Sequence, residues 1–105
     1  MGEQETPICI AEPVLRVVRS RWSPTLVKVI ADGGPIHFSA LGRQIAGISA
    51  KVLADQLRKL QRAGVLQRTR AEARQEVNYE LTKRGWELKR ALDGLNDLAR
   101  RWQDL

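Results

Sequence analysis

The 105-residue sequence has one cysteine, one histidine and few aromatic residues: three Trp, one Tyr and one Phe. A single cysteine, Cys9, cannot form an intrachain disulfide, so we expect a cytoplasmic protein rather than one of an oxidising compartment. A single histidine, His37, falls short of the three or four ligands that a metal site needs. The composition therefore argues against a disulfide scaffold and predicts no metal site.

The sequence also lacks the patterns of membrane proteins and enzymes. No apolar run approaches the roughly 18 to 20 residues that span a bilayer. The N-terminus "MGEQETPICIAEP" lacks the basic, apolar and small-residue order of a secretory signal. Paired carboxylates, a Ser/His/Asp set and a glycine-rich nucleotide fingerprint are absent as well. We therefore expect neither an enzyme nor a membrane protein, and no cofactor.

Positive charge is abundant and is concentrated in one part of the chain. The net charge is +6, and residues 49–74 alone contain seven basic and two acidic residues. Residues 75–105 contain six of each and are neutral. Because the excess lies in one segment, we expect one face of a single small domain to bind a polyanion.

The first half of the chain predicts three short helices and a strand. Pro13 and Pro24 suit the first positions of two helices, the second capped by Ser23. The glycines of "ADGGP" end the second helix, and a strand is predicted at residues 35–37. A third helix, capped by Ser39, then ends at Gly47.

A tight turn and a basic helix follow. Only Gly47 and Ile48 precede the next predicted cap, Ser49, so the third and fourth helices must meet at a steep angle. The helix at residues 50–63 has three leucines on one face and charged residues on the other. Two strands, at residues 65–70 and 75–81, complete a hairpin, the second alternating apolar and polar residues. This order of elements is that of a winged helix-turn-helix: mainly α, with a small β-hairpin wing.

The last segment, residues 82–105, predicts one long helix with an uncovered apolar seam. Its members recur at steps of four and three residues, a spacing typical of helices that pack on a partner helix. They are Leu88, Leu92, Leu95, Ala99 and Trp102.

The chain resembles the HxlR-type family of bacterial and archaeal winged-helix transcription regulators. The resemblance covers roughly residue 9 to the C-terminus and rests on Cys9, Trp22, Phe38, "GIS" at 47–49, Lys51, Leu53, "LRKL" at 57–60, "AGVLQR" at 63–68 and "VNYELTKRG" at 77–85. It implies a homodimer built from the first and last helices, with Val14, Leu15 and Val18 joining the seam. It also implies double-stranded DNA with a pseudo-palindromic operator as the partner, and repression as the usual outcome.

The candidate DNA contacts lie on the helix-turn-helix and the wing. Residues at the start of a recognition helix reach base edges, whereas basic and hydroxyl-bearing flanks hold phosphates. Lys51 is the strongest candidate, and Asp55 suits this surface only if it accepts from a cytosine amino group or pairs with Arg58. The full set is Ser39, Ser49, Ala50, Lys51, Ala54, Asp55, Arg58, Arg68, Arg70, Arg74 and Gln75.

Cys9 has two interpretations. It is either a small apolar residue packed where the first helix begins, or a thiol sensor activated by Arg16, Arg19 or Arg21. The resemblance favours a sensor, because several family members respond to oxidants or electrophiles through a cysteine at this place. The sequence departs from the family in having Ile10 after the cysteine instead of proline, and Ala54 instead of threonine. The effector is unknown.

Two other classes of function stay open at this point. A winged-helix module that binds protein would show no salt-dependent affinity for DNA. A nonspecific nucleic-acid-binding protein would bind without sequence preference, and charge alone does not distinguish it from a regulator. Residues 1–11 are interpreted as an N-terminal arm of the single domain.

Overall fold

The computed structural model describes residues 9–71 and 76–105. Within these residues the chain forms five helices and three strands. In order they are α1 (Glu12–Val18), α2 (Ser23–Gly33), β1 (Ile36–His37), α3 (Phe38–Gln44), α4 (Ala50–Arg62), β2 (Leu66–Ala71), β3 (Glu76–Leu81) and α5 (Lys83–Arg101). The predicted winged helix-turn-helix order, with a long last helix, is therefore confirmed.

The core is formed by leucine, isoleucine and valine side chains from nearly every element. Leu26, Val27 and Ile30 of α2 pack with Leu53 and Leu57 of α4, all almost fully buried. The sheet closes one side of this core, and α5 adds Leu88 from its second turn. Because the helical spacing of these residues matches 3.6 per turn, each amphipathic helix has only one way to face the core.

The three strands form one antiparallel sheet in the order β1, β3, β2. The β2 and β3 strands pair from Leu66 with Leu81 outward to the hairpin tip, and we call this hairpin the wing. The short β1 strand pairs with the other edge of β3, where Ile36 lies opposite Tyr79. The wing is thereby attached to the segment that precedes α3.

Two predicted helix caps differ from the structure. Ser23 does not cap α2, because its side chain is buried and donates a hydrogen bond to Gln56 of α4; the residue before the helix is Trp22. Ser39 does not cap α3 either, since the Nδ1 atom of His37 accepts from the backbone N–H of Ser39 at 3.2 Å. In both cases a hydroxyl residue near a helix start predicts a cap that the structure does not have. The Ser23 side chain bonds to Gln56 instead, and Ser39 lies inside the first turn of α3.

The start of α5 is attached to the end of α4. Thr82 caps α5, its hydroxyl accepting from the N–H of Gly85 at 3.1 Å, and the same hydroxyl donates to the carbonyl of Gly64. In the same first turn of α5, the guanidinium of Arg84 donates to the carbonyl of Ala63 at 3.0 Å. These bonds use the carbonyls of the two residues that directly follow α4, so the position of α5 depends on α4.

Candidate nucleic-acid interface

The connection between α3 and α4 runs over residues 45–49 and contains a glycine in a conformation that other residues rarely adopt. Gly47 has a φ of 86°, while Leu41 on α3 and Ile45 just after it are buried. Ser49 then accepts a hydrogen bond from the N–H of Val52 at 3.1 Å, which confirms the predicted cap. This turn and cap set the direction in which α4 leaves the domain.

The outer face of α4 is basic, as predicted. Leu53, Leu57 and Leu60 are buried, each about 1% exposed, and hold the helix on the core. On the solvent side Ala50 and Lys51 are exposed in the first turn and Ala54 is half-buried in the second. Small alanines beside an exposed lysine leave room for a duplex to approach the start of the helix closely. Further along, Arg58, Lys59 and Arg62 are also exposed.

Asp55 forms an ion pair with Arg58 one turn away on the same helix. Both side chains are about half exposed, so the pair is a weak one in water. Its consequence is local, because it compensates the only acidic side chain of α4. Within the part of the chain that the structure describes, Lys51 takes part in none of the ion pairs, so its ammonium is available to an external anion.

Two wing arginines lie on the face of the hairpin that continues the core. Leu66 and Leu81 are paired and buried at the base, and the period of two then places Arg68 opposite Tyr79 and Arg70 opposite Val77. Both arginines are exposed. The other face is polar: the side-chain amide of Gln67 donates to the carboxylate of Glu80 at 2.7 Å. Arg74 and Gln75, the other predicted wing contacts, lie outside the described residues.

The predicted dimer residues occupy α1 and α5 and divide into two groups. Leu88 is buried in the core of its own chain, and Leu92 and Val18 are partly buried. Outward from these, Val14, Leu15, Leu95 and Trp102 are 42–52% exposed, and Ala99 is exposed too. A groove of about 460 Å³ lies between the two helices, with Val14 and Val17 on one side and Leu88 and Ala91 on the other. We call this region the α1/α5 apolar surface.

Cys9 is exposed and immediately precedes α1. Its sulfur accepts a hydrogen bond from the N–H of Ala11 at 3.5 Å. Of the three candidate cations, Arg19 is paired with Glu12 at 2.6 Å and Arg21 stacks over Trp22 at 4.8 Å. The thiol is therefore accessible rather than packed in the core.

Two further findings concern metals and membranes. In residues 9–71 and 76–105 no group of three or more His, Cys, Asp or Glu side chains could hold a metal ion. His37 instead contacts Ser39 through its ring Nδ1, 2.8 Å from the hydroxyl. Among the residues described, no helix combines the length and apolar character that crossing a membrane requires.

Gln56 is absent from the residues predicted from the sequence, yet it is buried on the inner face of α4 and accepts hydrogen bonds from Ser20 and Ser23. Its position could have been found from spacing, since residues 53, 56, 57 and 60 are one face of a helix. Its partners could not, because 33 to 36 residues separate them from it along the chain.

A tight turn, a basic helix and an arginine-bearing hairpin on a small helical core together define a winged helix-turn-helix protein. The family profile described as HxlR-like helix-turn-helix matches residues 17–105, and the chain belongs to this family. It is accordingly a transcriptional regulator of the HxlR type and not an enzyme.

Known proteins agree with this assignment. The chain is 36% identical over 90 residues to the HTH-type transcriptional regulator YtfH of Escherichia coli, covering 85% of this chain and 71% of that protein. Among solved structures, the reduced transcriptional regulator YodB of B. subtilis superposes with a TM-score of 0.76 at 26% identity, covering 89% and 92% of the two chains. A MarR-family regulator of Enterococcus faecalis gives a TM-score of 0.80 at 23% identity over 97% and 96%, which shows the shared fold.

Proposed function

We propose that this protein is a homodimeric, sequence-specific DNA-binding repressor of transcription. The observation that carries the proposal is the basic outer face of α4, presented by the Gly47 turn and accompanied by the exposed wing arginines. In this proposal the start of α4 enters the major groove, where Ser49, Ala50 and Lys51 meet base edges and phosphates. Arg68 and Arg70, together with Arg74 and Gln75 as predicted from the sequence, contact the neighbouring backbone of the DNA.

Electrostatics supports DNA as the partner. Residues 49–74 have a net charge of +5, and binding would release counterions condensed on the phosphates. Ser39 in the first turn of α3 is exposed and is suited to a phosphate contact. Because Arg58 is already paired with Asp55, we assign it to a phosphate of the DNA backbone rather than to a base. Membership of a family of bacterial and archaeal regulators supports a cytoplasmic location.

The α1/α5 apolar surface supports the dimer. Four large apolar side chains about half exposed on adjoining helices are unusual for a monomer and mark an interaction surface. A second copy is the occupant we assign, because an isologous contact would present two α4 helices with two-fold symmetry. The predicted operator is then an inverted repeat with half-sites about one helical turn apart.

Selection from a random-sequence DNA pool tests the proposal. Reduced protein is incubated with the pool at about physiological salt, where weak phosphate-only binding is suppressed, and retained DNA is sequenced. Enrichment of an inverted repeat is the expected result. Retention without an enriched motif would indicate nonspecific nucleic-acid binding, and no retention would favour a winged-helix module that binds protein; either result would refute the proposal.

We also propose that Cys9 makes the repressor sensitive to oxidants. The support is its exposure beside α1 and the likeness to YodB, for which a structure of the diamide-treated protein exists as well as the reduced one. With one cysteine per chain, diamide would take two electrons and two protons from the Cys9 thiols of two subunits, giving an intersubunit disulfide and the reduced hydrazine, or it would join Cys9 to an added small thiol as a mixed disulfide. Diamide should weaken operator binding by the native protein and leave Cys9→Ser unaffected. Equal loss in both would remove Cys9 from the mechanism.

A further inference from the structure

The recognition helix α4 has a buried polar side chain on its inner face. Gln56 is 7% exposed and lies among Leu53, Leu57 and Leu60. In the described part of the chain, Gln56 and Ser23 are the polar residues that are buried. A leucine at position 56 would complete the apolar stripe, whereas a buried amide is costly unless it is hydrogen-bonded. The hydrogen bonds of this amide are therefore the feature to explain.

The side-chain oxygen of Gln56 accepts two hydrogen bonds, one from the segment that joins α1 to α2 and one from the first residue of α2. The hydroxyl of Ser20 donates at 2.8 Å and that of Ser23 at 3.3 Å. Ser20 also accepts from the N–H of Trp22 at 3.2 Å, which directs its own hydroxyl proton toward Gln56. We call Ser20, Ser23 and Gln56 the Gln56 network. It connects α4 to a point two residues beyond the end of α1.

We propose that the Gln56 network is a positioning device that fixes the orientation of α4 relative to α1. This inference rests on the proposed function, in which α1 belongs to the dimer contact and α4 to the DNA contact. The network would then set the angle and spacing at which the two recognition helices of the dimer meet a duplex.

The two hydrogen bonds to Gln56 restrict the orientation of α4 because hydrogen bonds are directional and leucine packing is not. Leucine packing is non-directional, so the apolar face of α4 tolerates small rotations and slides at little cost. Hydrogen bonds weaken steeply as their angles and distances depart from the optimum. Two donors from a neighbouring segment converge on one oxygen, so a rotation of α4 about its axis weakens both bonds together. Gln56 is thus a positioning residue, which touches no DNA itself.

The Gln56 network borders a solvent-filled cleft. The charged side chains around this cleft determine which substitution of Gln56 preserves the hydrogen bonds. A cleft of about 440 Å³ borders Ser20, Ser23 and Gln56, and its rim includes three cationic side chains. These are Arg16, Arg19 and Lys59. A glutamate at position 56 would retain the acceptor oxygen for both hydroxyls, and the cations beside it would compensate its charge.

The test compares Gln56→Leu with Gln56→Glu on the operator obtained by selection. The measured quantity is the ratio of operator affinity to random-duplex affinity, because this ratio cancels the charge change of the glutamate variant. Gln56→Leu should fold and lose about tenfold in the ratio, since both hydrogen bonds are removed. Gln56→Glu should retain the wild-type ratio. An unchanged ratio in folded Gln56→Leu would overturn the proposal, because a merely structural role changes stability and not preference.

A second variant covers the case in which Gln56→Leu does not fold. Ser20→Ala removes the shorter of the two bonds and alters no core side chain, and it should reduce the ratio severalfold. Thr25→Ala, an exposed hydroxyl residue in the first turn of α2, is the matched control and should leave the ratio unchanged. A folded Ser20→Ala protein with the wild-type ratio would overturn the proposal as well.

Amide hydrogen exchange separates this inference from the proposed function. Ser20→Ala should speed exchange in α4 without DNA, and Thr25→Ala should not. If the wild-type protein selects no operator, the proposed function fails, and so does the role of the network in DNA binding. The exchange rates of the α4 amides then test only whether the network holds α4 in place. If an operator is found but neither exchange nor the ratio responds to Ser20→Ala, the network inference fails and the proposed function stands.

Discussion

Replacing Gly85 with alanine should destabilise the fold, although alanine is the better helix former. Gly85 is buried in the first turn of α5 and has an ordinary helical backbone, so conformational freedom is not the reason for glycine here. A Cβ atom at this position would lie 2.2 Å from the carbonyl oxygen of Val65 and 3.1 Å from the Cβ of Leu81. Glycine is needed because α5 lies directly against the backbone that enters the wing.

The size of the destabilisation depends on which groups must move to make room for the added Cβ atom. The carbonyl of Val65 accepts from the N–H of Thr82 at 3.0 Å and shares the hydroxyl proton of Thr82 with the carbonyl of Gly64, at 3.2 Å from the hydroxyl oxygen, so it cannot turn away without losing these bonds. Overpacking costs about 1–3 kcal/mol and each lost hydrogen bond about 1 kcal/mol, while alanine regains about 1 kcal/mol of helix propensity. The net expectation is a loss of about 2–4 kcal/mol in the free energy of unfolding, or roughly 10–30 °C in Tm.

Urea unfolding monitored by far-UV circular dichroism measures this loss. Protein concentration must be held fixed, because dimerisation contributes to apparent stability. Gly94→Ala is the matched control in the same helix: nothing lies within 4 Å of its added Cβ, and it should stabilise the protein by about 0.5–1 kcal/mol. Wild-type stability in Gly85→Ala would refute the contact between α5 and Val65 on which the calculation depends.

Three further predictions concern function. Lys51→Ala should weaken operator binding and relax specificity, whereas Lys28→Ala, the same charge change on α2, should leave the preference in competition assays intact. Combined Arg68→Ala and Arg70→Ala should weaken binding to all duplexes and reduce the salt slope of log K by about 1–2; an unchanged slope would remove the wing from the interface. Leu95→Glu should give a folded monomer by light scattering, because its side chain is 51% exposed in the single chain, while Arg90→Glu, away from the seam, should stay dimeric.

Local chemistry made most of the elements predictable from the sequence. Pro13 and Pro24 occupy first-turn positions as expected, Ser49 caps α4, and Gly34, Gly47 and Gly64 adopt positive φ where helices end or turns begin. The alternation of Val77, Tyr79 and Leu81 predicted a strand, and the pairing of these residues with β2 confirms it. Such signals act over a few residues, so the order of neighbours along the chain is sufficient to find them.

The candidate site was predictable in composition but only partly in arrangement. The basic face of α4 follows from spacing alone, since charged residues recur opposite the leucines. Which cations are already engaged follows only in part: pairing of Arg58 with Asp55 is one of the two alternatives that the sequence leaves open for Asp55, whereas pairing of Arg19 with Glu12 near Cys9 is not predicted. Side-chain rotamers decide which of these pairs form.

The sequence by itself determined the elements, their polar and apolar faces and the location of the positive charge, because each depends on periodicity and on caps within a few residues. Only the tertiary structure decided that β1 joins the wing through β3, that Gln56 faces Ser20 and Ser23, and that Gly85 meets the carbonyl of Val65. Each of these is a contact between segments about 20 or more residues apart. Such contacts depend on how whole elements pack, so no pattern within a few residues of the sequence predicts them.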